Sequence, residues 1–141
     1  MLVNDDACFA CGKRNPDGLR LEFSYTEDSR KAQTVFVPEK KHQGWQDIVH
    51  GGIILTLLDE TMAKAAVRNG YTVLTGQIEA RFKAPARVQE KLYCEAEVTE
   101  VKRSIVYARS SVSTESGLVI AEATAKMVIA KQSSALPELR S

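Results

Sequence analysis

Apolar and polar residues alternate along most of this chain, with one segment that follows a different period. Leu19, Leu21, Phe23 and Tyr25 point one way and Arg20, Glu22 and Ser24 the other, which is the pattern of a half-buried strand. A second strand is predicted over about residues 31–37 and stops at Pro38. Later in the chain, Ile78, Ala80, Phe82 and Ala84 alternate with Gln77, Glu79, Arg81 and Lys83 before Pro85. Leu92, Cys94, Ala96 and Val98 alternate with Tyr93, Glu95, Glu97 and Thr99. Residues 104–115 form a weaker strand. Ser116-Gly117 then turns into Val119, Ala121, Ala123, Ala125, Met127 and Ile129, with Glu122, Thr124 and Lys126 opposite.

The exception is residues 51–69, which read as a helix. Ile54, Leu58, Thr61 and Ala65 form one row at helical spacing, and Leu55, Asp59, Met62 and Ala66 form the next. Asn69-Gly70 is a helix stop. Residues 39–50 carry Gly44, Trp45 and both histidines with no period, so a loop is predicted there. Residues 1–18 read as an irregular segment ending in the turn Asn15-Pro16-Asp17-Gly18, residues 19–131 as one domain, and residues 132–141 as a loose tail. Two strands, a long helix and four strands on short links predict an α+β domain. Its antiparallel sheet has one polar face, and the helix covers the other.

Composition narrows the functional classes. A chain of 141 residues makes one domain with a real core. Nineteen Lys and Arg against 18 Asp and Glu leave a charge of +1, without the basic excess of a nucleic-acid binder. No apolar run reaches the ~18 residues of a membrane helix. The opening Met1-Leu2-Val3-Asn4-Asp5-Asp6 lacks the regions of a signal peptide. Three cysteines are too few for a disulfide framework, so a cytoplasmic location is expected.

Asp59 is the residue that calls for explanation. Its row neighbours Leu55, Met62 and Ala66 are apolar, so the helix turns a carboxylate inward, and an unpaired buried carboxylate is costly. It should have either a structural partner or a role as a base. Glu60 falls on another row with Thr56 and Lys64, which reads as an exposed Glu-to-Lys pair. His50-Gly51-Gly52 opens the same helix. Free amides of a first turn bind anions or developing negative charge, and paired glycines allow close approach; a tight loop entry without a ligand is the alternative.

The run His50-Gly51-Gly52-Ile53-Ile54-Leu55-Thr56-Leu57-Leu58-Asp59-Glu60 resembles the helix signature of hot-dog-fold thioesterases similar to phenylacetyl-CoA thioesterase. The resemblance extends over the Phe36-to-Gly44 approach, the strand end Arg81-Phe82-Lys83-Ala84-Pro85 and the terminal strands. The start, Cys8-Phe9-Ala10-Cys11-Gly12 through Asn15-Pro16 to Gly18-Leu19, is similar to a subset of that superfamily. It implies a hot-dog fold of about six strands, hydrolysis of an acyl-CoA thioester, and a homodimer with shared sites, in turn a dimer of dimers. No cofactor is implied, since coenzyme A is part of the substrate.

By the same resemblance, Asp59 is the general base or nucleophile and the Gly51 amide the oxyanion donor. Thr75 matches a position whose hydroxyl helps hold the attacking water. Its alternation places it with Gln77 on the polar face, so it reaches the site only through a bulge, at Gly76. The family has Asn or Gln six residues before the His; here that position is Gly44, and Gln43 or Gln46 replaces it only if the loop shifts. His50 and Gly52 complete the helix entry, His50 either as a base or through a loop-fixing hydrogen bond. Arg81, Lys83 and Arg87 are either cations for the phosphates of coenzyme A or a solvated strand face. Trp45 is loop packing or a substrate lid.

Cys8 and Cys11 have metal-ligand spacing, but a closed zinc site takes four ligands. Only Cys94, His42 and His50 remain to supply them, so no metal is expected. The pair reads as a structural knuckle or a vestige, with a metal site shared between subunits as the alternative. No strand-to-helix context follows that would suit redox chemistry. Two rivals stand beside the thioesterase reading. One is a hot-dog module that binds acyl-CoA without turnover. The other is a hot-dog dehydratase or hydratase, whose differently worded His and Glu or Asp motifs are not found here.

Overall fold

The structure, a computed structural model, describes residues 2–130, so the expected tail at 132–141 lies outside the described residues. Strands β1 (Phe23–Tyr25) and β2 (Lys31–Phe36) precede a 3-10 turn at Lys40–His42 and helix α1 (Gly51–Arg68). Strands β3 (Val73–Phe82), β4 (Leu92–Lys102), β5 (Ile105–Thr114) and β6 (Val119–Ile129) follow. The strands make one antiparallel sheet in the order β1-β2-β4-β5-β6-β3, curved around α1. This is the hot-dog arrangement.

The helix rests mainly on β4 and β5, the middle of the sheet. Ile54, Leu57, Leu58, Met62, Ala65 and Ala66 on the helix meet Leu92, Cys94, Val106, Ala108, Val112, Ala123, Ala125 and Met127 on the strands, all buried. Alanines on the sheet face let the helix backbone come close, and burying the larger side chains gives about 1.5–3 kcal/mol each. The weak alternation of residues 104–115 also has a physical reason. Ser110 and Thr114 occupy the inner face of β5 among apolar residues, and the Ser110 hydroxyl donates to the Leu58 carbonyl of α1 at 3.2 Å.

Three expectations need correction. The first strand does not begin at Leu19. Arg20 sits at φ +53°, and the Leu19 and Leu21 amides donate to the carbonyls of Phe9 and Ala10 at 2.8 and 2.9 Å. The N-terminal segment takes the bonds a ladder would use, and only Phe23–Tyr25 pair with β2. Residues 39–50 are more ordered than a loop: the 3-10 turn is followed by bridges Gln43↔Val49 and Ile48↔Arg87. Phe82, read as an inner-face residue, is 54% exposed at the end of β3.

His42 is a structural residue. Its ring packs edge-on to Phe36, with centroids 5.1 Å apart, and Nδ1 accepts the Glu39 amide at 2.9 Å. Burial, reinforced by Lys41 against an opposing pull from Glu39, lowers its pKa below the ordinary 6.5. Between the two values the unfolded chain binds the extra proton, so stability falls as pH drops through about 6.5 and levels off below the folded value. The wild-type melting temperature should therefore decline more between pH 7 and 5.5 than that of His42→Gln, measured by circular dichroism. Equal declines would remove His42 as the cause.

Candidate active site

His50 caps α1 in extended backbone, φ −59° and ψ 134°, and its Nδ1 accepts the Gly52 amide at 2.8 Å. Its own amide donates to the His42 carbonyl at 2.8 Å, tying the helix entry to the 3-10 turn. A Cβ at Gly52 would stand 3.0 Å from His50 Nδ1, so the cap itself accounts for that glycine. The histidine thus makes the loop-fixing hydrogen bond, and the Gly52 amide is engaged within the chain rather than free for a ligand.

Gly51 is different. A Cβ there would meet only the Phe82 ring, at an ordinary 3.7 Å, so packing within the chain does not require glycine. Its amide has no acceptor among the described residues. It points out of the positive end of an 18-residue helix. A cavity of about 270 Å³ adjoins it, lined by Val49, Phe82, Lys83, Pro85 and Ile120 among others.

Eight residues further on, Asp59 is half-buried rather than enclosed, and it does have a partner. Its Oδ1 accepts the Thr75 hydroxyl at 2.6 Å. The contact depends on the expected bulge. Thr75 pairs with Met127 and Gln77 with Lys126, leaving Gly76 as the extra residue. That residue reverses the alternation and turns Thr75 toward the helix. Among the described residues strand β3 is also the end of the sheet, so the Asp59–Thr75 pair lies on an edge that none of them pairs with.

The other named residues separate. Gln43 is committed to its loop, its Oε1 accepting the Asp47 amide at 3.1 Å, and a Gly44-to-Ile48 backbone bond of 2.8 Å closes the same turn. The loop has not shifted to put Gln43 in place of the missing polar contact. Gln46 and Trp45 project into solvent, Trp45 85% exposed. Lys83 reaches the Gly51 cavity but pairs with Glu122 at 2.6 Å. Arg81 lines a separate groove on the outer face of the sheet, with Lys31, Glu79, Glu95 and Arg109. Arg87 belongs to the neighbouring turn, where its amide donates to Glu90.

Glu60 also needs correction. It is half-buried beneath the N-terminal segment, with the Cys8 thiol 3.9 Å from its Oε2. The only sequence signal was the Cys8-x-x-Cys11 spacing, which names no partner 52 residues away. Burial first, then the hydrogen bond and charge of Glu60, push the Cys11 thiol up to about 12, and burial does the same to Cys94. Neither thiol is a poised nucleophile.

A six-stranded antiparallel sheet wrapped on one helix is the hot-dog fold, and here the helix start carries a free amide and its middle a carboxylate–hydroxyl pair. The family model of the thioesterase superfamily matches residues 46–121, more than half of the chain. The chain belongs to the thioesterase superfamily. No curated protein matches the sequence. Among solved structures, a thioesterase superfamily protein aligns with a TM-score of 0.82 at 20% identity, over 87% of this chain and 63% of that one. A hypothetical thioesterase from Streptococcus pneumoniae, solved with coenzyme A, aligns at 0.74 and 18% identity, over 81% and 91%. The PaaI protein of the E. coli phenylacetic acid degradation operon aligns at 0.73 and 15%, over 78% and 83%. No helix among the described residues is long and apolar enough to cross a membrane.

Proposed function

We propose that the protein is a cytoplasmic acyl-CoA thioesterase whose site is shared between two subunits. The observation that carries this reading is the Asp59–Thr75 pair on the edge of β3 that no described residue pairs with, beside a helix whose first amide is unengaged. The Gly51 amide would donate to the thioester oxygen as negative charge develops on it. Asp59 would either take a proton from water held by Thr75 or attack the carbonyl directly to form a mixed anhydride. In both routes the carbon–sulfur bond breaks and coenzyme A leaves as the thiol. Its proton comes from protonated Asp59 in the first route and from water in the second. In the second, a water molecule then hydrolyses the anhydride to release the acid and restore the Asp59 carboxylate. These groups complete the reaction, so no cofactor enters the proposal; coenzyme A comes with the substrate.

The partner subunit would pair along β3, where Leu74 and Phe82 are more than half exposed. Two such dimers would make the tetramer. His50 and Gly52 serve by holding the Gly51 amide outward, and Lys83, at the cavity, would meet a phosphate on leaving its Glu122 partner. The relative solved with coenzyme A supports the substrate class, and the Cys8-to-Gly12 start would mark a subset of the superfamily. One observation favours a second reading, a binding module without turnover. Gly44 stands where the family has a polar side chain, and Gln43 is occupied elsewhere.

A panel of aliphatic and aromatic acyl-CoAs, assayed for thiol release, decides between them. Turnover of any member supports the enzyme. Binding throughout without release supports the module. Within the enzyme reading, Thr75→Ala should lower kcat about tenfold with the fold intact, the worth of roughly one hydrogen bond. An unchanged kcat would remove Thr75 from the mechanism.

A further inference from the structure

We propose that Cys8, Cys11 and Glu60 form a binding site for a thiophilic divalent cation, zinc foremost. The spacing of the two cysteines alone offers two ligands; the fold adds a third from mid-helix. One ligand atom from each residue lies within 4.8 Å of the other two, and Cys8 Sγ stands 3.9 Å from Glu60 Oε2. A tetrahedral zinc with sulfur at about 2.3 Å and oxygen at about 2.0–2.2 Å sets its ligand atoms roughly 3.5–3.8 Å apart, so closing the cluster takes side-chain shifts of about 1 Å.

The two thiols are presented by a rigid turn. The Gly12 amide donates to the Cys8 carbonyl at 2.8 Å and the Arg14 amide to the Asp6 carbonyl at 2.9 Å. A Cβ at Gly12 would lie 2.4 Å from the Cys8 nitrogen and 2.6 Å from the Asp6 oxygen, so the turn admits only glycine after Cys11. Ala10, between the cysteines, is buried in the core and anchors the turn. Neither cysteine fills the core itself: Cys8 is exposed and Cys11 half-buried. Packing therefore gives no reason for two thiols at this place.

Charge points the same way. Two thiolates and a carboxylate around a dication sum to −1. Lys64, one turn after Glu60 and close to Cys11, supplies the balancing +1. Its ammonium is held 5.6 Å from the centre of the Phe23 ring. Soft thiolates select zinc over magnesium or calcium, and the fourth position, on the side of exposed Cys8, would take water. Glu60 is turned about 100° around the helix from Asp59, away from Thr75. The metal would fasten the N-terminal segment to α1, a role independent of the thioesterase reading.

The test uses the full chain, reduced and desalted without oxygen, titrated first with Co²⁺ and then with Zn²⁺. One Co²⁺ per chain is expected, with thiolate-to-cobalt charge-transfer absorption and tetrahedral d–d bands that Zn²⁺ displaces. Zn²⁺ should also shield Cys8 and Cys11 from a maleimide counted by mass. Cys8→Ser and Cys11→Ser should each abolish the charge-transfer band of the pair. Glu60→Gln should weaken Co²⁺ binding at least about tenfold, more than loss of a supporting group costs at its mildest. Absence of the band at excess Co²⁺, with both thiols shown to be free rather than joined as a disulfide, would overturn the proposal. So would a band that survives either serine variant, or Glu60→Gln binding like wild type. If one serine variant fails to fold, the other and the shielding of the wild-type thiols still decide.

Discussion

Asp59→Asn should lower kcat for thioester hydrolysis by about 10²–10⁴, the usual worth of a positioned base or acid. The substitution isolates chemistry from structure. The Asn side chain is nearly isosteric and keeps a carbonyl oxygen able to accept the Thr75 hydroxyl, which now reaches Asp59 at 2.6 Å. What it loses is basicity and nucleophilicity, which both routes to the thiol require. KM should change little, because the carboxylate acts on water or on the carbonyl carbon rather than on the nucleotide of coenzyme A. Steady-state thiol release and a circular dichroism melt on the same preparation check both halves of the claim. Wild-type turnover in a folded Asp59→Asn variant would remove Asp59 from the reaction.

Mixing two dead variants should restore activity. Gly51 and Asp59 are eight residues apart on α1, about 12 Å at 1.5 Å per residue, while each contact to a thioester must be near 3 Å. One carbonyl cannot meet both in one subunit. Two antiparallel helices can bring one start beside the other middle, and two-fold symmetry then makes two equal sites. Gly51→Pro removes the amide hydrogen at the first helical position, where proline is tolerated. His50 already has the extended backbone, φ −59° and ψ 134°, that a residue before proline prefers. Each homodimer should be nearly inactive. A mixed dimer of Asp59→Asn and Gly51→Pro carries both lesions in one site and neither in the other. Random exchange at equal amounts should therefore recover roughly a quarter of wild-type activity, half the dimers being mixed with half their sites intact. Co-refolding, mass analysis of the dimers and thiol release make the measurement. Mixed dimers as inactive as their parents would sink the shared site.

Local periodicity was enough for the architecture, because burial on one face writes itself directly into a strand or helix. The alternation from Leu92 to Val98 and from Val119 to Ile129 became β4 and β6, and the rows of residues 51–69 became α1 within a residue. The bulge at Gly76 was not in the periodicity, which put Thr75 on the polar face with Gln77; it was expected only because the family resemblance required Thr75 to reach the site.

Other features came from chain segments meeting at long range, which no local pattern encodes. Leu19 and Leu21 keep the alternation of a strand, yet their amides went to Phe9 and Ala10. The two glycines at the helix start are equivalent in sequence. Only the folded entry shows that His50 takes the Gly52 amide and leaves the Gly51 amide outward. Glu60 and Lys64 make a sound solvent-exposed pair on a helical wheel. The wheel holds no information about a turn 52 residues earlier that comes to lie on that face, bringing the Cys8 thiol against Glu60. Periodicity reports which side of an element is covered, and tertiary packing decides by what.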